Sequence, residues 1–272
     1  MSTKATIIAL IVGATGLLVL LFIAPKTNFE AYASKKQEAS VQKKAFDANA
    51  NLDFYLRNAV KVLANELKTS YDLFYSKQLN DSLIGFWLKQ KRPDLAAHFE
   101  EKKAITLNTD SAALKSGNRY YYSVQFVKDE TEAPLLFACA VKMYNKALSL
   151  NPTNFDAKLM LASCYLEASS SPMEGISLLK ELEKADSSNV KLQLTFAFFS
   201  LKSGQNDKAL QRFNKALRID SNNIEVYLHL ADVHERLGNT EQTILALKQY
   251  AKRTTDVTAK LEIEKYIEQL KK

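Results

Sequence analysis

The sequence predicts an all-α fold, a helical solenoid built from repeated two-helix units. Two observations predict it: an internal repeat, and a composition nearly free of helix breakers. With no gap, residues 190–223 set over residues 224–257 place Phe196 over Leu230, Ala197 over Ala231, Gly204 over Gly238 and Phe213 over Leu247. Each copy is about 34 residues long and holds two amphipathic runs joined at a glycine, the pattern of stacked helix pairs. Seven glycines and five prolines in 272 residues leave little to interrupt helices, and an apolar content of 47% can supply a sizeable core.

The remaining elements follow in chain order. Residues 1–4 are a short tail, and residues 5–25 carry no charge. About 20 apolar residues cross a bilayer, so residues 5–25 are expected to be a transmembrane anchor. The run exceeds the usual core of a cleaved signal, and its nearest Ala-x-Ala, Ala31-Tyr32-Ala33, lies beyond Lys26 and Glu30. Placement as a single-pass inner-membrane protein follows. Lys26, Lys35, Lys36, Lys43 and Lys44 after the run favour a cytoplasmic body. A short basic tail before a hydrophobic run favours export, and the periplasmic side is preferred by a narrow margin. Residues 26–51 turn polar and read as a helical stalk. In residues 52–77, Leu52, Leu56, Val60, Leu63, Leu67, Tyr71 and Phe74 recur every three or four positions, the stripe of one long amphipathic capping helix.

Five units are expected over residues 78–257: 78–109, 110–154, 155–189, 190–223 and 224–257. Pro93 stands where the second helix of the first unit would begin. The second unit has extra residues around 127–132, either a loop insertion or a longer helix pair. Residues 258–272 form a C-terminal capping helix, with Asp256 as its cap and Val257, Leu261, Ile263, Ile267 and Leu270 as its apolar set. Glu262, Glu264, Lys265 and Glu268 would face water there.

The repeated unit, Leu-Ala-x-x-His/Tyr, a glycine turn, then Ala-x3-Phe-x2-Ala closed by Asp/Asn-Pro/Ser, resembles the tetratricopeptide repeat. The resemblance places its small helix-crossing residue at Gly85, Gly117, Ala162, Ala197 and Ala231. It places the first-helix aromatic at Tyr120, Tyr165 and His234. The alanine opening the second helix falls at Ala97, Ala140 and Ala209, and the one near its end at Ala104, Ala147 and Ala216. The fifth unit departs from the pattern at Thr243 and Tyr250. The layout is similar to bacterial single-pass tetratricopeptide proteins of the cell envelope, so the resemblance implies a right-handed superhelix with a concave groove lined by first helices. In this register the groove takes Asp156, Leu159, Ser163 and Leu166, then Lys191, Leu194, Phe198 and Leu201, then Glu225, Leu228, Asp232 and Glu235. The apolar stripe Leu159, Leu194, Phe198 and Leu228 suits an apolar peptide segment. A carboxylate-gripping groove would need Lys and Asn where Leu, Ser and Phe stand. The other reading is that the final helix or a neighbouring turn covers part of this stripe.

The implied function is a membrane-anchored scaffold or adaptor for protein partners, another membrane protein among them, in envelope assembly or protein export. A structural spacer or self-assembling scaffold without a peptide ligand is the alternative. The net charge of +7 admits an anionic polymer, yet the lysines alternate with glutamates as on an ordinary solvated face, so nucleic acid is not the expected partner. No catalytic, cofactor-binding or metal-binding role is expected. His98, His229 and His234 form no ligand spacing, and no phosphate-cradling or nucleophile motif occurs. Cys139 and Cys164 read as small buried hydrophobes, with a bridge between them left open.

Overall fold

A computed structural model describes residues 48–127, 132–168 and 172–271. Among them the fold is all-α: thirteen helices and no strand. It divides into two compact units, whose described parts are 48–178 and 179–271.

In the N-terminal unit, α1 (Ala48–Lys61) and α2 (Asn65–Ser76) precede the helix pairs. These are α3 (Asn80–Lys89) with α4 (Pro93–Leu107), and α5 (Asp110–Ser123) with α6 (Glu132–Leu150). Then come α7 (Phe155–Glu167) and α8 (Pro172–Ala185), within which the unit boundary falls. The C-terminal unit continues with α9 (Val190–Lys202), α10 (Asn206–Ile219), α11 (Glu225–Arg236), α12 (Thr240–Arg253) and α13 (Val257–Leu270). In the N-terminal unit each helix from α2 to α6 packs on the next, and α1 lies against α4 and α6; in the C-terminal unit each helix from α9 to α12 packs on the next.

Four helices start where a side chain satisfies one of the first free N–H groups. Thr109, Asn154, Asn189 and Asp256 accept hydrogen bonds from Ala112, Ala157, Leu192 and Ala259 at 3.2, 2.9, 3.1 and 3.0 Å. Packing then follows the small residues. Ala162, Ala197, Ala97, Ala140, Ala147, Ala209 and Ala216 are fully enclosed. At Gly117 an added Cβ would stand 2.6 Å from the Tyr144 ring, and at Gly175 2.9 Å from the Ala162 carbonyl. Gly85 differs from its expected role as a close-crossing residue, since no neighbouring atom lies within 4 Å of its Cβ position.

Four sequence expectations are corrected or refined. The single-pass inner-membrane placement is corrected. Among the described residues no helix is long and apolar enough to cross a membrane, and residues 5–25, on which that placement rested, lie outside them, as does nearly all of the stalk. The single long helix over 52–77 is instead two, parted at Val62-Leu63-Ala64 where Ala64 turns to extended backbone (ψ 149°). A straight helix over that stretch would run roughly 40 Å, far beyond the hairpin beneath it. The break lets Leu56, Val60, Leu63, Leu67, Tyr71 and Phe74 all join one core with Trp87 and Phe99. In the second pair the extra length includes a short 3-10 turn (Val124–Phe126) and a longer α6, while residues 128–131 lie outside the described residues. On α13 the buried stripe is Ala259, Ile263, Tyr266 and Ile267, whereas Val257 and Leu261 face solvent. Their register sits two residues off the stripe, on the opposite side of the helix.

The turn between paired helices needs a left-handed residue. Gly204 and Gly238 supply it at φ 73° and 76°, but Lys91 takes φ 56° with a side chain attached. Lys91→Gly is therefore expected to stabilise the N-terminal unit by about 1 kcal/mol. Urea unfolding followed through Trp87, the sole tryptophan and a core residue of α3, measures this.

Candidate functional site

The candidate positions are first-helix faces, described unit by unit: α7 in the N-terminal unit, and α9 with α11 in the C-terminal unit. Asn154 and Asn189 cap the starts of α7 and α9, whereas α11 follows Ile224 with no side-chain cap, and each of the three helices buries an alanine, Ala162, Ala197 and Ala231 in turn. Of the four α7 residues, Asp156 is exposed in the first turn. Leu159, Ser163 and Leu166 are buried; the Ser163 hydroxyl donates to the Leu159 carbonyl at 3.1 Å, and Leu166 closes over Gly175.

In the C-terminal unit the expected face separates into open and closed positions. Lys191 is exposed, and Leu194 and Leu201 lie partly buried against the core. Phe198 is only 6% exposed and meets Phe213 and His229 edge to face, at 5.3 and 4.7 Å. Leu228 is 2% exposed in the same core. Asp232 is engaged by Arg236, one turn on, at 3.0 Å. Both Glu235 carboxylate oxygens accept from the Tyr266 hydroxyl, at 2.9 and 2.8 Å, so α13 covers that end of the face. Burial and the Glu235 carboxylate together push the Tyr266 phenol well up, which keeps it protonated as a donor. The apolar stripe thus serves mainly as core: Leu159, Phe198 and Leu228 fill the interior, while Leu194 stays at the rim.

Two groups of residues escaped sequence reasoning. Tyr121 of α5 donates its hydroxyl to Glu167 of α7, and Tyr144 of α6 donates to Asn118 of α5 at 3.0 Å. Burial, then Glu167, raises the Tyr121 phenol far above its ordinary range. The second group is a buried ionic network in which adjacent carboxylates on α4 each meet a cation. Glu100 pairs with Lys115 at 2.7 Å and with Arg119, while Glu101 accepts from Tyr120 at 2.6 Å and from Lys142 at 2.5 Å. The available signal was Glu100-Glu101 standing between the two alanines Ala97 and Ala104 of a second helix, where one position must point inward. A comparable clamp in the C-terminal unit joins Arg212 to Glu183 and Gln193, with the Arg212 guanidinium 4.1 Å from the Phe196 ring centre. Arg212 holds the Glu183 carboxyl below its usual range.

Cys139 and Cys164 are both free thiols in the interior, not bridged. Burial pushes Cys139 up to about 12 and Cys164 well above its ordinary value, so neither is a ready nucleophile. Among the described residues no group of three or more His, Cys, Asp or Glu side chains is arranged to hold a metal ion.

The family model described as "TPR repeat" matches residues 201–238, from the end of α9 to the turn after α11. Among solved structures, MamA aligns at 16% identity over 64% of this chain and 90% of its own, with a TM-score of 0.45. A MamA fragment from Desulfovibrio magneticus RS-1 aligns at 17% identity over 70% and 95%, with a TM-score of 0.44. YrrB, described as a TPR protein with an unusual peptide-binding site, aligns at 17% identity over 75% and 100%, with a TM-score of 0.40. No curated protein matches the sequence.

Proposed function

We propose that this tetratricopeptide-repeat protein is a protein-interaction scaffold, without catalytic chemistry of its own, that takes a partner's peptide segment on its first-helix faces. The observation that carries this reading is the half-open rim of α9. Leu194 and Leu201, seven residues and so about two turns apart, rest on the core with part of their surface still accessible, and Lys191 is exposed on the same helix. The Asp232–Arg236 pair adds polar character on α11. A shallow surface of this mixed kind suits a peptide that contributes a few apolar side chains between polar ones. Phe198 and Leu228 support the surface from beneath.

A photo-crosslinking amino acid at position 194 tests the proposal. It is expected to trap a partner polypeptide in growing cells, and the trapped segment is expected to bind the purified protein as a synthetic peptide. The burial of Leu159, Phe198 and Leu228 favours a second reading, a self-assembling scaffold with no peptide ligand, because a stripe filled from within leaves little for a ligand to fill. Light scattering separates the two: a strict monomer excludes self-assembly.

A further inference from the structure

His229 of α11 stacks on Phe213 of α10 at 5.3 Å with the planes 17° apart, and meets Phe198 of α9 edge-on at 4.7 Å. Phe198 and Phe213 themselves meet edge to face at 5.3 Å. Three rings from three successive helices therefore close on one point, at the joint where α9 and α10 receive α11. Phe213 is fully enclosed and Leu228 stands beside His229 in the same core. A neutral imidazole suits this place as a flat aromatic surface. A protonated one brings a charge to a joint whose facing side chains are two hydrocarbon rings.

The charged groups of the three helices are engaged elsewhere or stand at helix ends. On α9, Lys191 and Lys202 lie at the two ends of the helix. On α10, Arg212 is turned to Glu183 and Phe196, Lys215 to Glu183, and Lys208 to Gln205. On α11, Asp232 is paired with Arg236, and Glu225 begins the helix one turn before His229. His229 as a whole is half-buried, and the burial of its ring among these neighbours holds it down, to about 4.

We infer that the joint between α9–α10 and α11 is an acid-sensitive hinge, closed while His229 is neutral and loosened when the ring takes up a proton. Opening it uncovers Phe198 and Leu228 on the first-helix face, so acidity would convert the shallow rim into a deeper apolar surface. The folded value lies below the ordinary 6.5, so as pH falls the opened chain takes the proton first. The stability contributed by the neutral ring is complete above pH 6.5 and is lost as pH falls from there to about 4. At pH 5 this one group raises the opening equilibrium constant about 30-fold.

Amide hydrogen exchange of the full chain, read by mass spectrometry over residues 190–236 and corrected for the intrinsic effect of pH, measures the opening. Between pH 7.5 and pH 5 the wild type is expected to lose protection there by about 30-fold. His229→Phe, which keeps an aromatic surface and cannot titrate, is expected to hold its protection at both pH values. Should His229→Phe fold poorly, His229→Gln provides a neutral, non-titrating replacement whose protection is likewise expected not to change with pH. Equal protection of the wild type at both pH values overturns the inference. So does an acid loss that persists in the folded non-titrating variant.

Discussion

Replacing Phe213 by alanine is expected to lower the stability of the C-terminal unit by about 4 kcal/mol. Phe213 is fully enclosed, and its ring is the common neighbour of Phe198 and His229, with centroids 5.3 Å from each. Truncation removes the transfer energy of a whole ring and leaves a void that rigid neighbours cannot fill, since both are rings held by different helices. In a repeat architecture each helix pair rests only on its neighbours, so the loss falls on the joint between α9–α10 and α11–α12. Urea unfolding followed by far-ultraviolet circular dichroism measures it. Phe54→Ala provides the contrast: that ring is 54% exposed, and its loss is expected to cost less than about 1 kcal/mol.

The second large effect is expected in the N-terminal unit. Lys142→Met leaves the Glu101 carboxylate, only 4% exposed, with the Tyr120 hydroxyl and no cation at its side. Breaking a buried ion pair from one side is expected to cost about 3 kcal/mol, most of it the penalty of an uncompensated buried charge. Adding Glu101→Gln to Lys142→Met removes that charge while keeping an acceptor for Tyr120, so the double variant is expected to recover most of the loss. A double-mutant cycle on Trp87-monitored unfolding reads the coupling directly. Additive losses would show that the pair contributes packing rather than charge compensation.

The helix pairs were legible because their determinants are local. Ala197 lies on the first helix and Ala209 on the second, Gly204 marks the turn between them, and Asn189, just ahead of the copy, caps the first helix. The candidate site was legible only in outline. Register alone assigns Leu159, Phe198 and Leu228 to the first-helix face, but what covers that face comes from farther along the chain. Tyr266 reaches Glu235 across 31 residues, and Tyr121 reaches Glu167 across 46. The network around Glu101 draws Tyr120 from 19 residues away and Lys142 from 41. Such contacts depend on how neighbouring pairs nest, which no single-copy pattern records. The break at Val62-Leu63-Ala64 escaped for the opposite reason. No proline or glycine marks it, and it arises because both halves of the stripe fold onto one hairpin. The same reasoning separates two residues that register treats alike. Leu194 can carry a polar replacement at the rim, whereas Phe198 cannot without placing it in the core.

Site-resolved photo-crosslinking tests the central claim most directly, comparing position 194 at the α9 rim with position 248, where Lys248 is exposed on α12. The scaffold reading predicts a discrete partner trapped from position 194 and little or none from position 248. It further predicts that Leu194→Glu with Leu201→Glu leaves the helical signal intact while abolishing binding of the trapped segment. Equal trapping from both positions, or undiminished binding by the folded double variant, would contradict it.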